Sequence, residues 1–411
     1  MVVGGLVLFL LCLIGCVDEL DAIGIVNATD SDNTSPVSAN TSLVSSANTS
    51  FGFQLLAEIH KQDANKNIFV SPLSVSIALA MTLNGAVGET QQAMAKTLEL
   101  DGMSLDAINS AYSELQKSLQ NLDPKVELAI ANSLWARQGV DFKPDFLQRN
   151  RQFYGAEITS LDFDSLKTPE IINQWVDKNT NGKIRKIVEQ INRQTVMLLI
   201  NAIYFKGKWK KAFDKSKTTD LIFHLPDGRE KQTPMMFQSD KYLYYRGDNF
   251  QAVSLPYGEG RLSMDIFLPA PDSNLNEFLT SLNTENWESW ISQFRKMDGD
   301  IMLPRFKLEY EITLNNALKA MGMAIAFDPN RANFRDMRPV PPNLFINQIK
   351  HKTFVEVNEE GTEAAAATSV EIRATSAALK FTFVVDRPFF FAIQDSWTET
   401  VLFMGTVINP I

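Results

Sequence analysis

Cysteine is almost missing from this chain: there are two in 411 residues, Cys12 and Cys16, and both lie at its N-terminal end. The body that follows can form no disulfide, carry no thiolate nucleophile and offer no sulfur ligand to a metal. Histidine is nearly as scarce. His60, His224 and His351 stand far apart, without the paired spacing of a zinc site, so no metal is expected. There is no Gly-x-Ser-x-Gly elbow, and Gly258-Glu259-Gly260 lacks the third glycine of a dinucleotide loop. Acidic residues show no pairing that assigns acid and base roles. These absences argue against an enzyme and against a cofactor. A formal net charge of -9 disfavours nucleic acid as a partner. Between Ser50 and Ile411 there is no Gly/Ser or Pro-rich linker, no internal repeat and no long charge run, which favours one large domain at residues 51–411.

The N-terminal end reads differently. Val2 to Ile14 is an unbroken apolar run, too short to span a bilayer comfortably and followed by Asp18 and Glu19. It fits a secretory signal at residues 1–16, cleaved near Cys16, although no Lys or Arg precedes the apolar core. Leu13-Ile14-Gly15-Cys16 also resembles a bacterial lipoprotein cleavage box. From Asn27 to Ser50 the chain is mostly Ser, Thr and Asn, a composition that predicts a disordered tail, assigned to residues 17–50. Four Asn-x-Ser/Thr patterns sit in it, at Asn27, Asn33, Asn40 and Asn48, and the rest of the chain has none. A secreted, extracellular glycoprotein is the expectation, with no membrane partner.

The most informative segment lies near the other end. Thr353 to Val357 and Phe381 to Val385 both alternate as half-buried strands, and between them runs Glu359-Glu360-Gly361-Thr362-Glu363-Ala364-Ala365-Ala366-Ala367-Thr368. Four successive alanines are unusual in a connection, which normally carries turn formers. With a period of two, Thr362, Ala364, Ala366, Thr368, Val370 and Ile372 share one face, while Glu363, Glu371 and Arg373 fall on the other. The segment predicts a strand with one buried side, able to enter a sheet because its side chains are small. Alanine's helix propensity supports the rival reading, a helix, but the charge sorting opposes it. Elsewhere, Ser71-Pro72 ahead of Val75 to Leu83 predicts a capped, buried helix, and Val196 to Ile200 with Ala202 to Phe205 a strand interrupted by Asn201. Leu262 to Leu268 and Val401 to Val407 add late strands, so the layout is α+β.

With these residues in view, the alanine run resembles the hinge and reactive-centre loop of a serpin. Asn67-Ile68-Phe69-Val70-Ser71-Pro72-Leu73-Ser74, Asn201 to Trp209, Leu303-Pro304-Arg305-Phe306-Lys307-Leu308, Asp386-Arg387-Pro388-Phe389 and Phe403-Met404-Gly405-Thr406-Val407 resemble family blocks, in family order, from roughly Ser50 to Ile411. The resemblance implies helices around three β-sheets and an exposed loop at about residues 359–380. It implies a hinge at Glu360, Gly361, Thr362, Glu363, Ala364, Ala365, Ala366 and Ala367. It also implies a polar cluster of Ser71, Ser74, Asn201 and His351 where the central sheet opens, with Trp209 at the sheet's top. The partner it implies is a serine protease, trapped covalently when the cleaved loop inserts, by an inhibitor that works as a monomer.

Family spacing from Gly361 places the scissile bond at Thr375-Ser376, which suits an elastase-type enzyme; Arg373-Ala374 is the rival and would suit a trypsin-like one. A non-inhibitory carrier or storage role is the other class, and Thr362 with the unbroken Ala364 to Ala367 speaks against it. The lysines at 206, 208, 210, 211, 215 and 217 could bind a sulfated polysaccharide, but such a run is more often a solvated face. The region resembling the heparin-binding helix of some serpins, Leu105 to Leu122, offers only Lys117.

Overall fold

Ser38 opens the first helix, α1 (Ala39–Asp63), with its hydroxyl accepting from the Thr41 amide at 3.4 Å and donating to the Glu114 carboxylate at 2.6 Å. The structure is a computed structural model that describes residues 37–120, 123–341, 343–362 and 380–410. Helix α1 corrects the expectation of a disordered tail through residue 50. Val44, Ala47, Phe51, Leu55 and Ile59 recur at helical spacing and are buried, while the interspersed polar side chains find partners inside. The Ser45 and Thr400 hydroxyls lie 2.7 Å apart, and the Asn48 amide donates to the Val401 carbonyl at 2.9 Å while accepting from Ser76 at 3.1 Å. Average composition hid a helix whose serines and asparagines face polar groups. Asn48 is therefore corrected as a glycan site, because its side chain is 1% exposed and committed to the core. Asn40 is exposed in the first turn of α1, whereas Asn27 and Asn33 lie outside the described residues, as does the apolar run of residues 1–16.

Five further helices precede Met197 in the chain: α2 (Pro72–Leu83), α3 (Glu89–Thr97), α4 (Leu105–Leu119), α5 (Pro144–Tyr154) and α6 (Thr168–Asn179). Every residue of α2 is buried, as its all-round apolar sequence predicts.

Fifteen strands are described: β1 (Ile68–Val70), β2 (Val126–Arg137), β3 (Glu157–Leu161), β4 (Met197–Lys208), β5 (Thr219–His224), β6 (Glu230–Arg246), β7 (Phe250–Pro256), β8 (Leu262–Pro269), β9 (Arg295–Pro304), β10 (Phe306–Thr313), β11 (Gln348–Asn358), β12 (Gly361–Thr362), β13 (Phe381–Val384), β14 (Phe389–Asp395) and β15 (Thr400–Val407). One six-stranded sheet runs β10-β11-β12-β4-β2-β3. The rest form a hydrogen-bonded path β1-β15-β14-β8-β7-β6-β9-β13, with β5 beside β6. The long β6 links what the family resemblance counts as two sheets. It pairs with β5 through Glu230 to Met235, with β9 through Met235 to Tyr244, and with β7 through Leu243 to Arg246. Helix α2 packs against β4 of one sheet and β15 of the other, so the core lies between them.

Candidate functional site: a sheet already parted at one end

Strands β4 and β11 run parallel and pair directly from Leu198 with Gln348 to Tyr204 with Phe354. Beyond that pair they separate. The two residues of β12 fill the gap, Thr362 lying between Val357 and Gly207, and Gly361 between Asn358 and Lys208. A two-residue strand has little pairing energy of its own, so its seat must come from side chains. Thr362 is fully buried, and its hydroxyl lies 2.9 Å from that of Tyr257. Gly361 is at φ 139°, and a Cβ there would come within 2.1 Å of the Gly207 carbonyl oxygen, so no other residue fits.

Trp209 sits against this seat. Its ring stacks on Tyr257 at 4.4 Å, its indole donates to the Asn358 carbonyl at 2.9 Å, and its backbone amide donates to the Glu360 carbonyl at 3.0 Å. The turn before β12 is tied down by charge. Arg305 Nε donates to both oxygens of the Glu359 carboxylate at 2.8 and 2.9 Å, Thr218 adds a bond of 2.5 Å, and Lys215 meets Glu360 at 2.5 Å. Burial alone would raise the pKa of Glu359, but the bonds from Arg305 and Thr218 outweigh it and hold the carboxyl below its usual range.

Lower in the same seam, the four expected polar residues come together. Ser71 caps α2, accepting from the Ser74 amide at 3.2 Å and donating to the Leu402 carbonyl at 2.6 Å. The Ser71 amide donates to His351 Nε2 at 3.1 Å, so that nitrogen is unprotonated and Nδ1 carries the hydrogen, donating to Asn201 Oδ1. Asn201 spends its two donors on Ser74 Oγ and Asn132 Oδ1. Since His351 and Asn201 pair across β11 and β4, the cluster spans the seam that an inserting strand would part.

Burial pushes the His351 imidazole down to about 3 from 6.5. The unfolded chain therefore binds a proton below pH 6.5 that the native state refuses until about pH 3. Native stability falls as pH drops through that window, by at most about 1.4 kcal/mol per pH unit from this group. The thermal transition of the wild type should fall more between pH 7 and pH 5 than that of His351→Gln; equal falls would remove His351 as the cause.

Several contributors escaped the sequence reading. Asn132 is one, although it interrupts the apolar strand β2 much as Asn201 interrupts β4. Thr353 donates to the Phe69 carbonyl at 2.6 Å, tying β11 to β1. Tyr257 carries no sequence signal of its own, and the Glu359 partners Arg305 and Thr218 are too distant in sequence to be paired by eye. Glu363, Ala364, Ala365, Ala366, Ala367, Arg373, Ala374, Thr375 and Ser376 lie outside the described residues. Within the lysine run, Lys211 pairs with Asp240 at 2.7 Å, Lys215 with Glu360, and Lys210 donates to the Glu259 carbonyl at 2.9 Å.

A sheet holding a small-residue strand at its opened end, above a polar seam, has the architecture the sequence resemblance implied, and comparison with known proteins agrees. Residues 46–410 match the family described as Serpin (serine protease inhibitor). The chain is 36% identical over 381 residues to a leukocyte elastase inhibitor of Xenopus laevis, covering 89% of this chain and 99% of that one. It is 36% identical over 374 residues to human Serpin B8, covering 89% and 98%. Among solved structures, the thermophilic serpin tengpin in its native state matches with a TM-score of 0.84 at 34% identity, over 91% of this chain and 95% of that one. Human thyroxine-binding globulin matches with a TM-score of 0.83 at 29% identity, over 90% and 100%. The chain belongs to the serpin family, a family of serine protease inhibitors.

Proposed function

We propose that this serpin is a secreted suicide inhibitor of an elastase-type serine protease. The seating of β12 carries the reading: Gly361 and Thr362 already occupy the space between β4 and β11, with Thr362 fully buried. A loop whose first residues are docked can extend the same pairing downward once it is cut. The protease serine attacks the Thr375 carbonyl, the peptide nitrogen of Ser376 leaves with a proton, and an acyl-enzyme forms. Insertion of the freed strand then competes with hydrolysis of that ester. If insertion is faster, the enzyme is carried along and its site deformed, the driving energy coming from a native state that is kinetically rather than thermodynamically secured. The family relatives named as elastase inhibitors support the choice of enzyme class.

Incubation with elastase-type and trypsin-like enzymes tests this. A complex that survives boiling in detergent is expected, together with a released C-terminal fragment whose mass begins at Ser376. A fragment beginning at Ala374 would move the bond to Arg373 and the target to a trypsin-like enzyme. Cleavage with no stable complex would sink the inhibitory reading and leave a carrier or storage role. Secretion rests on the Val2 to Ile14 run, and its test is separate: expression in a eukaryotic secretory host should release protein lacking residues 1–16, with a glycosidase-sensitive mass from Asn27, Asn33 or Asn40.

A further inference from the structure

The strand that follows the loop fixes where a docked enzyme must lie. Phe381, at the start of β13, stacks on Tyr244 at 4.0 Å and occupies the space over Gly299, where a Cβ would meet its ring at 2.2 Å. The loop's far end is thus anchored on a rigid sheet. Strand β13 runs parallel to β9, Phe381 opposite Gly299 and Val384 opposite Met302. The chain therefore enters β13 from the end of the sheet where Lys296, Met297 and Asp298 stand, with Leu243 and Lys241 of β6 opposite Lys296 and Asp298.

Ser376 is four residues before Lys380, a span of at most about 14 Å. A protease domain of about 220 residues has a radius of gyration of about 17 Å, so one engaged at Thr375-Ser376 reaches this end of the sheet. Directly paired residues share a face, which puts Lys241, Leu243 and Lys296 on one side. That side is open: Leu243 is 48% exposed, and both lysines are exposed. Of the nearby acids, Asp240 is engaged by Lys211 and Asp300 by Lys380 at 3.5 Å, while Asp298, opposite Lys241 on the same face, is half-buried and lies beyond ion-pair distance of it. Among the described residues, no carboxylate lies within ion-pair distance of Lys241 or Lys296. The face thus joins an exposed leucine to unpaired cations beside the loop's exit.

We propose that Lys241, Leu243 and Lys296 form a second contact for the target protease, fitting an acidic surface with an apolar spot beside that enzyme's cleft. This rests on the reading of the protein as a loop-trapping inhibitor. Facing charges of this kind act chiefly on the rate of encounter, and their effect weakens with salt.

The test compares wild type, Lys241→Glu/Lys296→Glu, Leu243→Ala and a charge-matched control on helices α3 and α6, Lys96→Glu/Lys178→Glu, against pancreatic elastase and trypsin. For the enzyme that the wild type traps faster, the second-order rate constant should fall about tenfold in the double lysine variant at low salt, with the gap closing as salt rises. Leu243→Ala should slow trapping less and independently of salt. The unfolding temperature, the control's rate and the number of inhibitor molecules consumed per enzyme trapped should be unchanged. Equal rate constants for wild type and the lysine variant overturn the surface while leaving the inhibitory reading intact. Equal slowing in the control overturns it too, since net charge alone would then suffice. A wild type that traps neither enzyme overturns the inhibitory reading itself, and the surface with it.

Discussion

Thr362→Arg should leave the loop cleavable but the protease free. The wild-type side chain is fully buried between β4 and β11, with its hydroxyl on Tyr257. An arginine there must either stay in place as an unpaired buried cation, which costs several kcal/mol, or push β12 out of its seat. Both routes slow the start of insertion, and each 1.4 kcal/mol on that barrier is tenfold in rate. Hydrolysis of the acyl-enzyme is chemistry inside the protease and is untouched. A slowing of insertion by about 100-fold therefore turns an inhibitor into a substrate. On a denaturing gel the stable complex should drop to a few per cent of the wild-type yield, while loop cleavage stays within about threefold, because remote substitutions leave the scissile bond alone. Thr362→Val, which keeps the shape and loses only one hydrogen bond worth about 1 kcal/mol, should still trap. Trapping by Thr362→Arg at wild-type yield would show that insertion does not start at this residue.

That prediction was visible in the sequence because period-two sorting and residue size are local properties, and so was the run of strands that ends the chain. The buried helix α2 was legible for a similar reason: Ser71-Pro72 is a start signal, and its apolar composition all round leaves no face for solvent. Helix α1 was not, because Ser45, Asn48 and Thr49 are polar residues buried against polar partners from β15, α2 and α1 itself, and composition cannot register a partner. The site divides the same way. His351, Asn201, Ser71 and Ser74 were placed by family resemblance alone, since each by itself reads as an ordinary satisfied core group. Asn132, Tyr257, Arg305 and Thr218 join the site through strand pairing and packing between residues more than fifty positions apart in several cases, and only the fold brings them to the hinge.

The clamp on the turn before β12 gives the second large effect: Glu359→Lys should destabilise the native state by about 3 kcal/mol and unseat the hinge. Losing one member of a buried ion pair costs about 3–5 kcal/mol, but Arg305 is 43% exposed and keeps part of its hydration, which lowers the figure. A lysine then adds a cation beside Arg305 at a side chain that is 2% exposed, which restores some of the penalty. The damage should be local first. The Glu359 carbonyl accepts from the Phe213 amide at 2.7 Å, and the neighbouring Glu360 carbonyl from Trp209, so a turn that loses its charged anchor strains the bonds holding β12. Amide exchange at Gly361 and Thr362 should rise well before global unfolding, and the unfolding temperature should fall by several degrees. Arg305→Glu placed on the Glu359→Lys background reverses the pair and should recover at least half of the loss, whereas either change alone should not. If the swap recovers nothing, the ion pair is incidental and the hinge is held by Trp209 and Tyr257 alone; if Glu359→Lys leaves both the unfolding temperature and the exchange of Thr362 unchanged, the clamp does not exist in solution.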